Sequence, residues 1–508
     1  MKFKLNLNKI LLLSIFILAI VLRFYNLASN PPSPYWEEAA IGYDAYSILK
    51  TGKDFHGNPW PLIAFESFGD YKPAAYFYTV VPAIAVFGLN TFAVRFPSAL
   101  FGSLTILLIY FLAKQLFPKQ KPKYYLLPAL FLAISPWHLQ LSRAGFEANL
   151  GLFLVTLGAW LFLKALKKPA FLFPAVISWA LSLYTYHANR VFIPLLGLAW
   201  GLIYFKKLNL KKSFLAVLLF ILLTLPLVSR LNAPEVRQRF YQTSAFATLD
   251  PVKISNQLIA DDGGGLIPKI IHHRFFQYSK IFFDHYLDQF TLDFLFVSGD
   301  SNPRHSTQLV GSLYLVQLPL LLIGLYYLFK SKSPAILPLL LWLVLAPVPA
   351  ALTKATPHAL RSLALIIPLI FISSYGFIKL FKSKIIVYLV SLVLLLEFSR
   401  YLYIYHHDYP RLHSFHWQYG YEDLIKQISE KKDDYDTIYI TRDFGRPSIY
   451  YWFYTQTNPQ TVQKLNNTVL KDQGEYLQFE NLYFGQSDPD KSGLVVTTED
   501  GQFKIYEQ

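Results

Sequence analysis

The sequence predicts an all-α polytopic membrane protein of about eleven transmembrane helices, followed by a small extracytoplasmic α/β domain. Three observations carry that expectation. First, apolar runs of about 16–22 residues recur along most of a 508-residue chain that is 54% hydrophobic and 17% aromatic. Only helices satisfy their own backbone over such lengths in lipid, and a series of such runs does not fit a soluble core. Second, the short connections between runs are rich in lysine and free of acid. Third, the composition turns polar after about residue 404.

The expected spans are residues 10–28, 94–113, 124–141, 148–166, 169–186, 190–205, 213–230, 309–330, 334–352, 359–380 and 384–403. The first has a Lys-bearing start and no small-residue cleavage site after it, so it reads as an uncleaved span. The connections 114–123, 164–168, 206–212, 330–332 and 379–384, with Lys2, Lys4 and Lys9, hold nineteen lysines and no Asp or Glu. The positive-inside rule puts all of them in the cytoplasm, and the alternation of spans agrees at each. The +15 net charge is therefore topological, which argues against a nucleic-acid partner. Residues 73–90 are apolar enough to cross, yet a crossing there would turn every later lysine loop outward. With Pro73 and Pro82 inside it, this segment is expected to be an interfacial or re-entrant helix.

The outer face then receives 31 of the 32 acids, Glu397 in the last span being the exception. It comprises loop 29–93, the short loop 142–147, the long loop 231–308 and everything beyond about 404. The domains are thus a membrane domain, 1–404, and a soluble domain, 405–508. In the latter YEDLIKQISEKK reads as an amphipathic helix, and YDTIYIT, SGLVVTT and FKIYEQ as strands. The absence of cysteine excludes disulfides and thiolate metal sites.

Four outward clusters carry candidate chemistry. Glu37-Glu38, beside Tyr35 and Trp36, is a carboxylate pair at the membrane surface, costly to desolvate without a partner or a task. Asp70-Tyr71-Lys72-Pro73 sets a cation beside a carboxylate, suited to a lipid phosphate or to helping bind a metal. SRAGFEANL places Arg143 and Glu147 at the outer ends of two spans, and a local ion pair four residues apart is the plain alternative. The last cluster gathers His272, His273, Arg274, Asp284, His285, Arg304, His305, His358 and Arg361, basic groups that suit an anionic headgroup, although isolated loop histidines are commonly solvated. Together they fit a reaction in which a carboxylate deprotonates a nucleophile, a sugar carbon is attacked and a lipid phosphate leaves. These residues alone stop at a lipid-linked transferase or a transporter.

The ordered motifs WEEAAIGYDAYSILKTG, FGDYKPAAYFY, GLNTFAVRFPSALFG, SPWHLQLSRAGFEANL, GDSNPRHS and PHALRSLALIIP resemble the GT-C membrane glycosyltransferases. The resemblance is to the protein mannosyltransferase and aminoarabinose transferase superfamily (glycosyltransferase family 39-like) and covers about residues 1–400. It implies a polyprenyl-phosphate-linked sugar donor and inverting transfer to a protein, lipid or glycan acceptor outside the cytoplasmic membrane. The family's first-loop motif usually reads Asp-Glu with the Asp as base, so the resemblance gives Glu37 that role with one extra methylene. Glu38 and Glu147 join it as catalytic or positioning acids. The resemblance implies donor-phosphate binding by Lys72 and Arg361, which Arg304 of the basic cluster is expected to join, and it implies that Asp70 with His285 would hold the divalent metal that some members use. Arg95 is open to a structural or a functional role. Two other classes stay in view. A polyprenyl-lipid flippase would line its spans with polar groups, which are few here. A non-catalytic scaffold would bind a partner through its C-terminal domain.

Overall fold

The computed structural model describes residues 7–230, 232–465, 469–485, 493–499 and 501–507. Lys2 and Lys4 lie outside them, as does Ser492 at the start of an expected strand. The chain is mostly helical, and it is a multi-pass membrane protein. Among the described residues six helical stretches are long and apolar enough to cross a bilayer: Leu7–Phe24, Thr91–Leu116, Glu147–Ala165, Leu210–Ser229, Leu363–Lys382 and Lys384–Leu412. They coincide with six of the eleven expected spans.

The other five expected spans form shorter helices, for local reasons. The stretch 124–141 breaks into Leu126–Ala133 and Pro136–Ser142, because Pro136 has no N–H to continue the ladder. The stretch 309–330 becomes helical only at Gln317. Before that point its backbone runs beside residues 294–296, with Ser312 N donating to Phe294 O at 3.2 Å and Leu313 N to Leu295 O at 2.7 Å. Gly311 permits this approach, since a Cβ there would lie 2.4 Å from the Phe296 carbonyl carbon. Residues 169–186, 190–205 and 334–352 give the apolar helices Pro169–Leu183, Asn189–Ile203 and Ile336–Ala351. The segment 73–90 forms the 13-residue helix Ala75–Phe87 with Pro82 inside it.

The chain divides into two compact units. One comprises residues up to Ala19, Leu104–Gln140 and Gly151–Tyr401. In it Gln317–Lys330 packs closely against Ile366–Lys379, where two glycines remove the side chains that would hold the backbones apart. A Cβ on Gly324 would lie 2.0 Å from Ile372 O, and one on Gly376 would lie 1.9 Å from Leu320 O.

The other unit comprises Ile20–Ser103, Leu141–Leu150 and Leu402–Gln508. It holds the end of α1 (Leu7–Phe24), α2 (Trp36–Thr51), the hairpin of β1 (Ala64–Ser67) and β2 (Asp70–Pro73), α3 (Ala75–Phe87) and the start of α4 (Thr91–Leu116). The C-terminal segment adds the helix Tyr421–Lys431, whose Tyr421, Leu424, Ile425 and Ile428 are buried, as its apolar spacing predicts. It also adds β3 (Ile438–Ile440), β4 (Lys471–Asp472), β5 (Glu475–Tyr476), β6 (Gln478–Phe479), β7 (Leu482–Phe484), β8 (Leu494–Glu499) and β9 (Gln502–Glu507). Five of these form a sheet in the order β6-β7-β3-β8-β9, with β3 parallel to β7 and β8 and both edges antiparallel. The helix Pro447–Thr455 packs on α2 from this segment, so the stretch between α1 and α4 and the C-terminal segment share one core.

Candidate active site

The site begins where α2 begins. Pro31, Pro32 and Pro34 cannot supply the N–H groups of a helix ladder, so the chain enters α2 only after Tyr35. The first turn then carries Glu37 and Glu38 at the positive end of the helix dipole. Consecutive helical residues diverge by about 100° around the axis, so the pair splits into two environments.

Glu38 turns inward and is fully buried. Its Oε1 accepts from Arg95 Nε at 2.9 Å and from Gly145 N at 2.7 Å, while its Oε2 accepts from Arg95 Nη2 at 3.0 Å and from Tyr35 N at 3.3 Å. Arg95, also fully buried, spends its remaining donors on the carbonyls of Leu27 at 3.1 Å, Pro31 at 2.8 Å and Ser33 at 2.7 Å. Its guanidinium also lies 5.6 Å from the Trp417 ring centroid. The bidentate pair therefore ties α2, α4, the proline-rich turn and the 145 loop together. Arg143 does the same for the preceding turn, donating to Leu22 O and Tyr25 O at 2.7 Å, Asn30 O at 2.9 Å and the Tyr405 hydroxyl at 3.1 Å.

Glu37 turns outward. Its Oε1 is 2.7 Å from Lys72 Nζ, and its Oε2 accepts from the Tyr35 hydroxyl at 3.0 Å. Lys72 reaches it from β2. The β1–β2 hairpin closes through Phe68 and Gly69, both at positive φ (51° and 71°), the geometry of a tight two-residue turn that matches strand twist. Residues two apart on a strand share a face, so Asp70 and Lys72 point the same way, and Lys72 Nζ is 3.5 Å from Asp70 Oδ2. The three side chains are 28% (Glu37), 12% (Lys72) and 17% (Asp70) exposed, enough to meet a ligand and too little for full screening by water. The C-terminal segment braces this hairpin. Gly474 lies so close to its turn that a Cβ there would be 2.3 Å from Gly69 N, and the Arg446 guanidinium stands 5.4 Å from the Phe68 ring.

Glu147 opens the helix Glu147–Ala165, two residues past the Gly145 amide that binds Glu38. The Tyr76 phenol lies within electrostatic reach of both Glu38 and Glu147. Farther along α2, Asp44 is completely buried and accepts from Phe55 N at 3.1 Å, and burial, followed by the nearby Asp54, holds its carboxyl well above the usual range. Asp54 in turn accepts from Asn58 N at 2.8 Å and from Asn58 Nδ2 at 2.9 Å. His56, in the same loop, is pushed down to about 3 by burial and then by Lys471. A histidine depressed in the fold contributes stability that is complete above its unfolded value near 6.5 and is lost as pH falls toward 3. The stability difference between the natural chain and His56→Phe should therefore shift by up to about 1.4 kcal/mol per pH unit below 6.5. Thermal unfolding of the two proteins at pH 7, 6 and 5 measures it, and parallel curves would refute a buried neutral imidazole.

The remaining sequence candidates belong to the other compact unit. Arg361 Nη1 donates to Thr353 Oγ1 at 2.8 Å. Arg304 N caps the Asn302 side chain at 3.0 Å, and its carbonyl accepts from Gln140 at 3.1 Å. His285, in the helix Arg274–Asp288, has a buried Nδ1 and a carbonyl that accepts from Thr356 at 3.1 Å. His272 with Asp262 (2.6 Å) and Lys280 with Asp284 (2.7 Å) are local pairs, and His273 Nδ1 accepts from Phe275 N. Of the loop histidines, His305 and His358 converge, and they do so on Asp300, a residue that no spacing had singled out. Asp70, one half of the expected metal pair, accepts from Tyr71 N at 2.8 Å besides facing Lys72.

Comparison with solved structures places this architecture. The chain is similar to ArnT from Cupriavidus metallidurans bound to undecaprenyl phosphate, with TM-score 0.57, 11% identity and 97% of each chain covered. The chain shares the fold of that ArnT structure along nearly its whole length. The chain is also similar to the archaeal oligosaccharyltransferase AglB from Archaeoglobus fulgidus in complex with an inhibitory peptide and a dolichol-phosphate, with TM-score 0.51 and 14% identity over 89% of this chain and 64% of that one. The family model described as dolichyl-phosphate-mannose-protein mannosyltransferase matches residues 71–229, which includes Lys72, Arg95 and Glu147. A curated relative, the "Putative mannosyltransferase YkcB" of Bacillus subtilis (strain 168), is 26% identical over 160 residues. That stretch is 31% of this chain and only 21% of the relative.

Proposed function

We propose that this chain is a GT-C glycosyltransferase that moves a monosaccharide from a polyprenyl-phosphate donor to an acceptor on the outer face of the cytoplasmic membrane, with inversion at the sugar carbon. The observation that supports this most is the contact of Lys72 with Glu37 at 2.7 Å, a cation and a carboxylate held together at a partly exposed surface. In the resting protein each neutralises the other. A donor phosphate arriving at Lys72 competes for its ammonium and releases the Glu37 carboxylate to accept a proton from the acceptor hydroxyl. The hydroxyl oxygen then bonds to the sugar carbon as the bond from that carbon to the phosphate oxygen breaks. The phosphate gains negative charge, which Lys72 stabilises where it develops. Arg361 and Arg304 are proposed as further phosphate contacts, and Glu147 as the acid that positions the acceptor or sugar. Glu38 serves by holding the start of α2 in place. The C-terminal segment stands outside the membrane with the outer loops.

The test is transfer from a panel of radiolabelled polyprenyl-phosphate sugars in purified membranes, with Lys72→Met beside the natural chain. Lys72→Met should raise the donor KM by about tenfold to a hundredfold, the range of one lost charge-assisted contact, and should also lower turnover. Equal donor KM in both proteins would remove Lys72 from the phosphate site. Transfer from no donor would sink the proposal.

A further inference from the structure

We propose that Asp300, His305 and His358, in the compact unit that does not contain Glu37, Asp70 and Lys72, form a binding site for a divalent transition-metal cation of the zinc type. His305 Nδ1 lies 2.9 Å from Asp300 Oδ2, and His358 Nδ1 lies 4.0 Å from the same oxygen. One ligand atom from each of the three residues falls within 4.8 Å of the other two, so a single cation can reach all three with small side-chain movements. The two imidazole rings stand 5.0 Å apart, tilted by 35°. Two imidazoles and one carboxylate are the borderline-soft set that zinc takes, with a fourth position left for water or an anion.

The carboxylate is built in before any cation arrives. Asp300 Oδ2 accepts from Ala359 N at 2.6 Å, and Oδ1 accepts from Asn302 N at 2.8 Å. The Asp300 carbonyl accepts from Ser306 Oγ at 2.8 Å and from Gln308 Nε2 at 3.0 Å. Gly299, at φ 82°, lies so close to Ser306 that a Cβ would meet its Cβ at 2.9 Å. On the other side Trp137 Nε1 donates to Ala359 O at 3.0 Å, and Gln289 Oε1 accepts from His358 N at 3.2 Å. Outer hydrogen bonds of this kind fix ligand orientation in metal sites. Asp300 is 3% exposed and His305 7%, a degree of burial that isolates the group from bulk water. A cation entering here takes the place of the proton shared between His305 and Asp300, and that proton leaves to solvent. At Asp70, by contrast, the carboxylate already faces a lysine at 3.5 Å, which disfavours a metal.

The experiment uses the full chain purified in detergent, stripped with EDTA and titrated with Zn2+ alone. Bound metal is counted by elemental analysis, and Co2+ substitution supplies a visible spectrum characteristic of nitrogen and oxygen ligands. One equivalent is expected in the natural chain and in Glu37→Gln. His358→Ala and His305→Ala should each weaken binding by roughly a hundredfold or more, whereas His272→Ala, at a surface pair, should leave it unchanged. Thermal midpoints in EDTA separate ligand loss from misfolding, because a variant that only loses the metal keeps the midpoint of the stripped natural chain. No stoichiometric metal in the natural chain, or one equivalent retained in both histidine variants, would overturn the proposal. Because the readout is bound metal, failure here leaves the transfer reading standing, and failure of transfer leaves the metal site standing.

Discussion

Arg95→Ala is expected to destabilise the protein by about 3–5 kcal/mol, the usual consequence of removing one partner from a buried ion pair. Five hydrogen bonds disappear at once: two to Glu38 and one each to Leu27 O, Pro31 O and Ser33 O. The carboxylate that remains is fully buried and keeps only the Gly145 and Tyr35 amides. The uncompensated buried charge and the three carbonyls left without Arg95 both contribute to the loss. The double variant Arg95→Met with Glu38→Gln should therefore be less damaging than Arg95→Ala alone, because it removes the charge together with its partner. Thermal or denaturant unfolding in detergent decides it. A drop of less than about 1 kcal/mol for Arg95→Ala would show the pair to be dispensable. The same change should disorder the entry to α2, so transfer should fall even in the fraction that folds. In these terms Glu38 and Arg95 act through the position of Glu37, and the conservative Arg95→Lys should restore part of the stability without the forked geometry.

How much of this could be read without coordinates depends on what kind of pattern each feature leaves. The six long helices leave a length-and-hydropathy pattern, which one chain suffices to show. The shorter helices were legible as apolar runs but not in their bounds. Pro136 ends one early, and the 294–296 backbone, lying against residues 311–313, claims the start of another. A chain segment pairing with a distant one changes nothing in its own periodicity. At the site, Glu37-Glu38 was visible as a pair, yet the pair does two jobs. Helical rotation alone foretells that the two diverge, but not which one meets Arg95, because Arg95 arrives from α4 far along the chain. Lys72 was legible as a cation beside the Asp70 carboxylate, but not the short strand that turns both side chains to one face. Asp300 was not, since one aspartate in a turn such as Gly299-Asp300-Ser301-Asn302 reads as ordinary loop chemistry. Its meaning lies in His358, which spacing cannot connect to it.

The larger functional effect is expected from Glu37→Gln. The substitution keeps the side chain's length, its place on α2 and an oxygen to accept from the Tyr35 hydroxyl, now 3.0 Å away. What it removes is the negative charge and with it the capacity to take a proton. Loss of a positioned general base lowers turnover by about 10²–10⁴-fold. The donor side should respond in the opposite sense. Glu37 lies 2.7 Å from Lys72 and competes with an incoming phosphate for it, so the glutamine should leave donor affinity equal to or tighter than that of the natural chain. A fall in kcat with donor KM unchanged or reduced is thus the signature of a base, and a rise in KM at equal kcat would mark Glu37 as a binding group only. Glu37→Asp sharpens the test. It restores the carboxylate but withdraws it by one methylene from an acceptor placed for glutamate, so it should recover part of the turnover that glutamine loses. Full activity in Glu37→Gln would pass the base to Glu147, the other acid proposed to meet the substrates. Glu38 would stay excluded from that role, because both of its oxygens are already taken by Arg95 and two backbone amides.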